Sequence, residues 1–150
     1  MAALDRARLA ALMGRRRLDL LLATTRHNIR YLTGGYGYPL YLWDAHTRGS
    51  QYLPFFVIPR EASVPTAFIG RPGERDVLEE AGVPVGRCHE SAGIGTRPAA
   101  AKTVEVLRSL GFDRGTIGVE LPSLPADAWT VLRDGLPGAT LVDAVPVLDA

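Results

Sequence analysis

Leu18-Asp-Leu-Leu-Leu-Ala-Thr-Thr-Arg-His-Asn-Ile-Arg-Tyr-Leu-Thr-Gly34 decides the fold. Leu18, Leu20, Leu21 and Leu22 make an apolar run too short for a membrane span and too dense for a strand with one wet face, so it reads as a central strand covered on both sides. Thr24 and Thr25 then offer hydroxyls to cap a helix whose Ile29 and Leu32 point inward. Gly34 supplies the left-handed residue that stops that helix.

Outward from this core, the spacing predicts alternating elements. Leu9, Leu12 and Met13 place a helix over residues 2–13, closed by Gly14, with Arg15, Arg16 and Arg17 at the negative end of its dipole or on a surface facing an acidic partner. Residues 53–58 and 66–69 read as a hairpin joined by the turn chemistry of Pro59 to Pro65. A helix over 72–81 opens on Pro72, carries Glu74 and Asp76 toward its positive end and stops at Gly82. Then come a strand at 83–88, a helix at 98–110 with Ala101, Val104, Leu107 and Leu110 on one face, and a strand at 116–120. A helix after Pro125, with Trp129, Val131 and Leu132 as its apolar face, and a strand at 139–142 complete the order. That order predicts an α/β fold with a mixed sheet of about six strands flanked by helices. The domain is expected to occupy residues 1–143, with 144–150 beginning a linker to something further.

Composition narrows the function classes. Seventeen Lys and Arg balance 16 Asp and Glu, so no global field favours nucleic acid or an anionic membrane. Cys88 is the only cysteine, which excludes an internal disulfide and suits a reducing cytoplasm. No stretch reads as a signal core or a membrane span.

His27, His46 and His89 lack the close pairing that sets two metal ligands on one helix face. Cys88 and His89 are strand neighbours pointing to opposite faces, expected to be a buried small residue and a solvated one. Ser91-Ala-Gly-Ile-Gly-Thr96 precedes a helix but lacks a Walker lysine and a third glycine, so it reads as a plain loop. Neither Ser91 nor Cys88 has a nucleophile's context. The remaining candidate is the connection from Gly35 to Tyr52, which gathers Tyr36, Tyr38, Tyr41, Trp43 and Tyr52 with Asp44, His46 and Arg48. Such rings bury large area while keeping a polar tip, as interfaces and substrate pockets require; equally, the loop could fold back and hide them on its own domain.

The apolar strand followed by Asn28-Ile-Arg-Tyr-Leu-Thr-Gly34, with Ile117-Gly-Val-Glu120, Leu124-Pro125 and Leu136-Pro-Gly-Ala-Thr-Leu-Val-Asp-Ala144 in the same order, resembles the N-terminal domain of the creatinase, prolidase and Xaa-Pro aminopeptidase family. The resemblance implies a ribonuclease H-like three-layer fold preceding a pita-bread catalytic domain. In peptidase members that second domain holds a divalent metal pair (Mn, Co or Zn) on two aspartates, a histidine and two glutamates. No such ligand carries over to this chain, so no catalytic residue, metal or cofactor is assigned to it.

The resemblance further implies a homodimer and a domain that covers the active site of its own C-terminal catalytic domain, acting on a small peptide or creatine-like substrate. By position, Tyr36, Tyr38, Tyr41, Trp43, His46 and Arg48 are the residues expected to touch substrate or the neighbouring subunit. Asn28, Tyr31 and Gly34 are expected to be structural: amide bonding at the helix start, packing beside the sheet, and the left-handed stop. The alternative is a free-standing ligand-binding or dimerisation module that uses the aromatic loop.

Overall fold

A computed structural model describes residues 4–38 and 52–150. Its centre is β1 (Leu20–Ala23), every residue of which is buried. β1 pairs antiparallel with β2 (Phe55–Pro59) and parallel with β5 (Thr116–Val119). β3 (Ala67–Gly70) runs antiparallel to β2, while β4 (Arg87–Glu90) and β6 (Thr140–Asp143) extend the two sides in parallel. The sheet order is β4-β3-β2-β1-β5-β6, so β2 alone runs against the rest. The carboxyl ends of the other five strands, and the entry to β2, therefore lie along one edge of the sheet.

The period-two rule of strands divides the core between two faces. Leu20, Leu22, Phe55, Val57, Ile69, Ile117 and Val119 face one cluster. It is covered by α4 (Thr96–Ser109) and α5 (Ala126–Gly135) through Ala100, Val104, Leu107, Ala128 and Leu132. Leu21, Ala23, Phe56, Ile58 and Phe68 face the other cluster. Over it lie α1 (Arg6–Arg15), α2 (Arg26–Leu32), α3 (Glu74–Glu80) and α6 (Val145–Leu148), contributing Leu9, Met13, Ile29, Leu32, Leu78 and Val147. This is the three-layer α/β fold with a mixed six-stranded sheet that the pattern predicts.

Close packing explains the glycine on the partner side of α4. A Cβ on Gly135 would stand 2.8 Å from both methyls of Val104, so α5 approaches α4 more nearly than any larger residue allows.

Several local expectations need correction. Gly14 lies inside α1, and the left-handed residue that ends the turn is Arg17 at φ 57°, with the Leu18 amide returning to the Met13 carbonyl. The fourth strand is Arg87–Glu90 rather than 83–88, because Pro84 and the left-handed Gly86 hold the preceding residues in a turn. On α4 the buried stripe is Ala99, Ala100, Thr103, Val104, Val106 and Leu107, leaving Ala101 exposed. On α5 Ala128 and Leu132 are buried, while Trp129 and Val131 are only half-buried. Residues 144–150 include α6, and Ala144 and Val147 are buried in the second cluster.

Candidate functional site

Among the described residues, two carboxylates are buried along the carboxyl edge of the sheet. Glu120, which follows β5, is 2% exposed, and Glu74, in the first turn of α3, is 0% exposed. A buried carboxylate is tolerated only where hydrogen bonds replace its water.

Glu120 meets that demand at the junction of β1 and α2. Its Oε2 accepts from the backbone amides of Thr24 at 2.5 Å and Thr25 at 2.8 Å. Its Oε1 accepts from the Thr25 hydroxyl at 2.8 Å and from the Asn28 side-chain amide at 2.5 Å. Thr25 is the N-cap, its hydroxyl also accepting the Asn28 backbone amide at 3.3 Å. The helix start is thus sealed by a carboxylate from the neighbouring strand, placed where the dipole favours negative charge.

Glu74 meets it with side chains. Its Oε1 accepts from the Tyr36 hydroxyl at 2.7 Å and from the Tyr52 hydroxyl, and its Oε2 accepts from the Arg71 backbone amide at 2.9 Å. Burial pushes the Glu74 carboxyl above its ordinary pKa, opposed by the Tyr52, Tyr36 and Arg71 hydrogen bonds and the Arg71 charge. Gly70 makes room for it, since a Cβ there would stand 2.5 Å from Glu74 Oε2.

Above this pair, the Arg71 guanidinium donates to the Tyr38 hydroxyl at 2.9 Å and sits 5.6 Å from that ring's centroid. The Tyr38 and Tyr52 rings lie 5.3 Å apart, and Tyr36 meets Phe68 edge-on at 5.8 Å.

Tyr36 therefore turns inward instead of presenting its ring, and Tyr38 is half-buried beside Arg71. Tyr41, Trp43, His46 and Arg48 lie outside the described residues. Asn28 does its amide bonding at the helix start, on Glu120, and Gly34 has φ 75° as a left-handed stop requires. Tyr31 does not pack beside the sheet; it is 68% exposed, because the inward stripe of α2 is Ile29 and Leu32 and a position two residues from Ile29 points away.

The nucleophile candidates are occupied or unactivated. Ser91 donates its hydroxyl to the Gly93 carbonyl at 2.7 Å. Burial pushes the half-buried Cys88 thiol up to about 11, which keeps it protonated at neutral pH. His89 is half-buried rather than solvated, and burial followed by Lys102 lowers its pKa. Among the described residues no group of three or more His, Cys, Asp or Glu is placed to hold a metal ion. No helix among them is long and apolar enough to cross a membrane. An apolar groove of about 410 Å³ between Leu4, Leu32, Phe56 and Val64 has Arg6 as its charged wall and neither buried carboxylate in its lining.

With this geometry in place, comparison with solved structures shows the same fold elsewhere. A dipeptidase from Pyrococcus horikoshii OT3 superposes with a TM-score of 0.68 at 20% identity over 97% of this chain, which spans only 35% of that one. The N-terminal domain of the cytoplasmic peptidase PepQ from Mycobacterium tuberculosis H37Rv matches with a TM-score of 0.65 at 18% identity, covering 96% of this chain and 95% of that one. An Xaa-Pro aminopeptidase from Streptococcus thermophilus gives 0.64 at 19% identity, covering 95% and 91%. No curated protein sequence matches the chain significantly. The family description "Creatinase/Prolidase N-terminal domain" matches residues 6–150. The chain belongs to the creatinase/prolidase N-terminal domain family, its strand–cap–helix start sealed by Glu120 at the centre of the mixed sheet.

Proposed function

We propose that this chain is the non-catalytic N-terminal domain of a metal-dependent Xaa-Pro peptidase, of the prolidase or aminopeptidase P type, or of a creatinase-like hydrolase. It forms a homodimer and covers the active site of a catalytic domain that follows residues 144–150. The observation that carries this reading is one of extent: the family match takes in residues 6–150, while the chain spans 35% of the similar Pyrococcus dipeptidase.

In this reading a divalent metal pair in the following domain supplies an activated water, and this domain supplies walls. The walls come from the connection between α2 and β2: Tyr38, Tyr41, Trp43, His46 and Arg48 touch substrate or the neighbouring subunit, with Tyr36 holding the start of that connection on Glu74. Supporting the placement, Tyr36 and Tyr52 enter and leave that connection at the edge where five strands end, the edge at which α/β folds place their ligands. Aromatic rings with polar tips suit an apolar or cyclic residue such as proline. The cytoplasm is the proposed compartment, supported by the single cysteine and by the cytoplasmic peptidase among the similar structures.

Two measurements test this. The reading frame after Ala150 is expected to continue for a domain's length and to encode the five metal ligands; an immediate stop codon would favour the free-standing module instead. In the full-length protein, Trp43→Ala is expected to raise KM for an Xaa-Pro dipeptide or to lower the mass seen by light scattering. Unchanged KM and unchanged mass would remove the contact role.

A further inference from the structure

We infer that Glu74 is a positioning residue for the connection between α2 and β2, because one carboxylate oxygen accepts the hydroxyls of Tyr36 and Tyr52, one from each end of that connection. The two tyrosines are sixteen positions apart in sequence and meet at the same atom, Oε1. Joining the ends of a chain segment that long costs entropy, and a common acceptor beneath them offsets the cost while fixing how far apart the ends stand.

The acceptor itself is held firmly. Glu74 Oε2 is fixed by the Arg71 backbone amide, and Gly70 presents no Cβ to the space that the carboxylate fills. α3 carries Glu74 on the strength of Leu78, which is buried one turn further along the same helix. Neither tyrosine hangs on Glu74 by its hydroxyl alone, since Tyr36 packs on Phe68 and Tyr52 on Tyr38. The carboxylate therefore sets the position of rings already drawn to the core.

The surroundings add direction. Arg71, immediately after β3, reaches outward to the Tyr38 hydroxyl while its own amide reaches inward to Glu74. One residue thus ties the first described residues of the connection to the carboxylate from a second side. Glu120, by contrast, takes all four of its donors from residues 24–28 and touches neither end of the connection. The positioning function thus belongs to Glu74 rather than to buried carboxylates of this edge in general.

Hydrogen exchange of the chain, read peptide by peptide, tests the inference through three variants: Glu74→Gln, Tyr36→Phe and Tyr52→Phe. Each is expected to speed exchange of amides in 33–38 and 52–53, the two ends of the connection, by at least about tenfold while leaving those of β1 and β5 within about twofold. The phenylalanine variants keep the rings, so they report on the hydroxyl bonds even if Glu74→Gln fails to fold. Exchange in 33–38 and 52–53 unchanged in both phenylalanine variants, or accelerated equally across the whole sheet, would overturn the inference.

The consequence for substrate rests on the function proposed above, and a separate measurement isolates it. In the full-length protein the same phenylalanine variants are expected to raise KM for an Xaa-Pro dipeptide several-fold with kcat within about twofold. Faster exchange in 33–38 and 52–53 with unmoved KM would leave Glu74 as the anchor of the connection and overturn the active-site reading instead.

Discussion

Glu120 and Glu74 stand on the same edge of one sheet, both buried, and they are satisfied in opposite ways. Glu120 draws on two backbone amides, a cap hydroxyl and an amide side chain, all within five consecutive residues. Glu74 draws on two phenols from distant positions and a single backbone amide. The first arrangement fastens a strand to the helix that follows it, so it serves the fold. The second fastens a long connection to the fold, so it serves whatever the connection does. A buried charge in this domain is therefore informative through the sequence range of its donors.

The sharpest way to break the comparison is to remove Glu120. Glu120→Ala leaves four donors without their acceptor at a buried helix start, and a loss of about 3 kcal/mol or more is expected. For a chain of this size that lowers Tm by roughly 6 to 12 °C in a thermal melt. A shift below about 2 °C would show that water replaces the carboxylate without penalty. Next in size is Gly70→Ala, whose Cβ would meet Glu74 Oε2 at 2.5 Å; overpacking of this kind costs about 1–3 kcal/mol, visible as a lower denaturant midpoint. Combined with Glu74→Ala the glycine substitution should cost less, since Oε2 and Cδ are gone and only the Cβ of residue 74, at 3.0 Å, still crowds the site.

Titration sharpens the contrast. The Glu74 pKa is raised by burial, so the folded state holds its proton better than the unfolded one. Stability from this group is fully present below about 4.5, the unfolded value, and is lost as pH rises through the folded pKa. His89 acts with the other sign: its lowered pKa means that stability is lost as pH falls below about 6.5. Urea midpoints measured from pH 4 to 8 are expected to gain a flatter alkaline limb in Glu74→Gln and a flatter acid limb in His89→Asn. Identical profiles for parent and variants would contradict both assignments.

The smallest expected effect lies far from either carboxylate. Arg17 occupies left-handed backbone at φ 57°, so Arg17→Gly should stabilise by about 1 kcal/mol, seen as a small rise in Tm.

The layered architecture was legible because it rests on local pattern. Leu20 to Leu22 without polar interruption declare a strand buried on both faces, and Thr25 and Gly34 mark the ends of α2 within a few residues of it. The two carboxylates were not legible. In the sequence Glu74 is one of two acids in a helix's first turn, and Glu120 is a charge at the end of an apolar strand, both ordinary places for a solvated group. What buries them are partners 22 to 38 and 92 to 96 positions away, which no local period encodes. Strand β4 was placed too early for a related reason. At the sheet's edge Arg87, Cys88, His89 and Glu90 are at most half-buried, so the true strand carries no apolar alternation to announce it. Tyr31 misled in the other direction, its ring suggesting burial where α2 has already spent its inward positions on Ile29 and Leu32.

The division of labour proposed here, walls in this domain and chemistry in the next, is tested most directly by assaying the purified 150-residue chain against an Xaa-Pro dipeptide with Mn, Co or Zn added. No turnover above the metal-only blank is expected, alongside turnover by the full-length protein under the same conditions. Hydrolysis by the short chain that rises in proportion to its concentration would contradict the account.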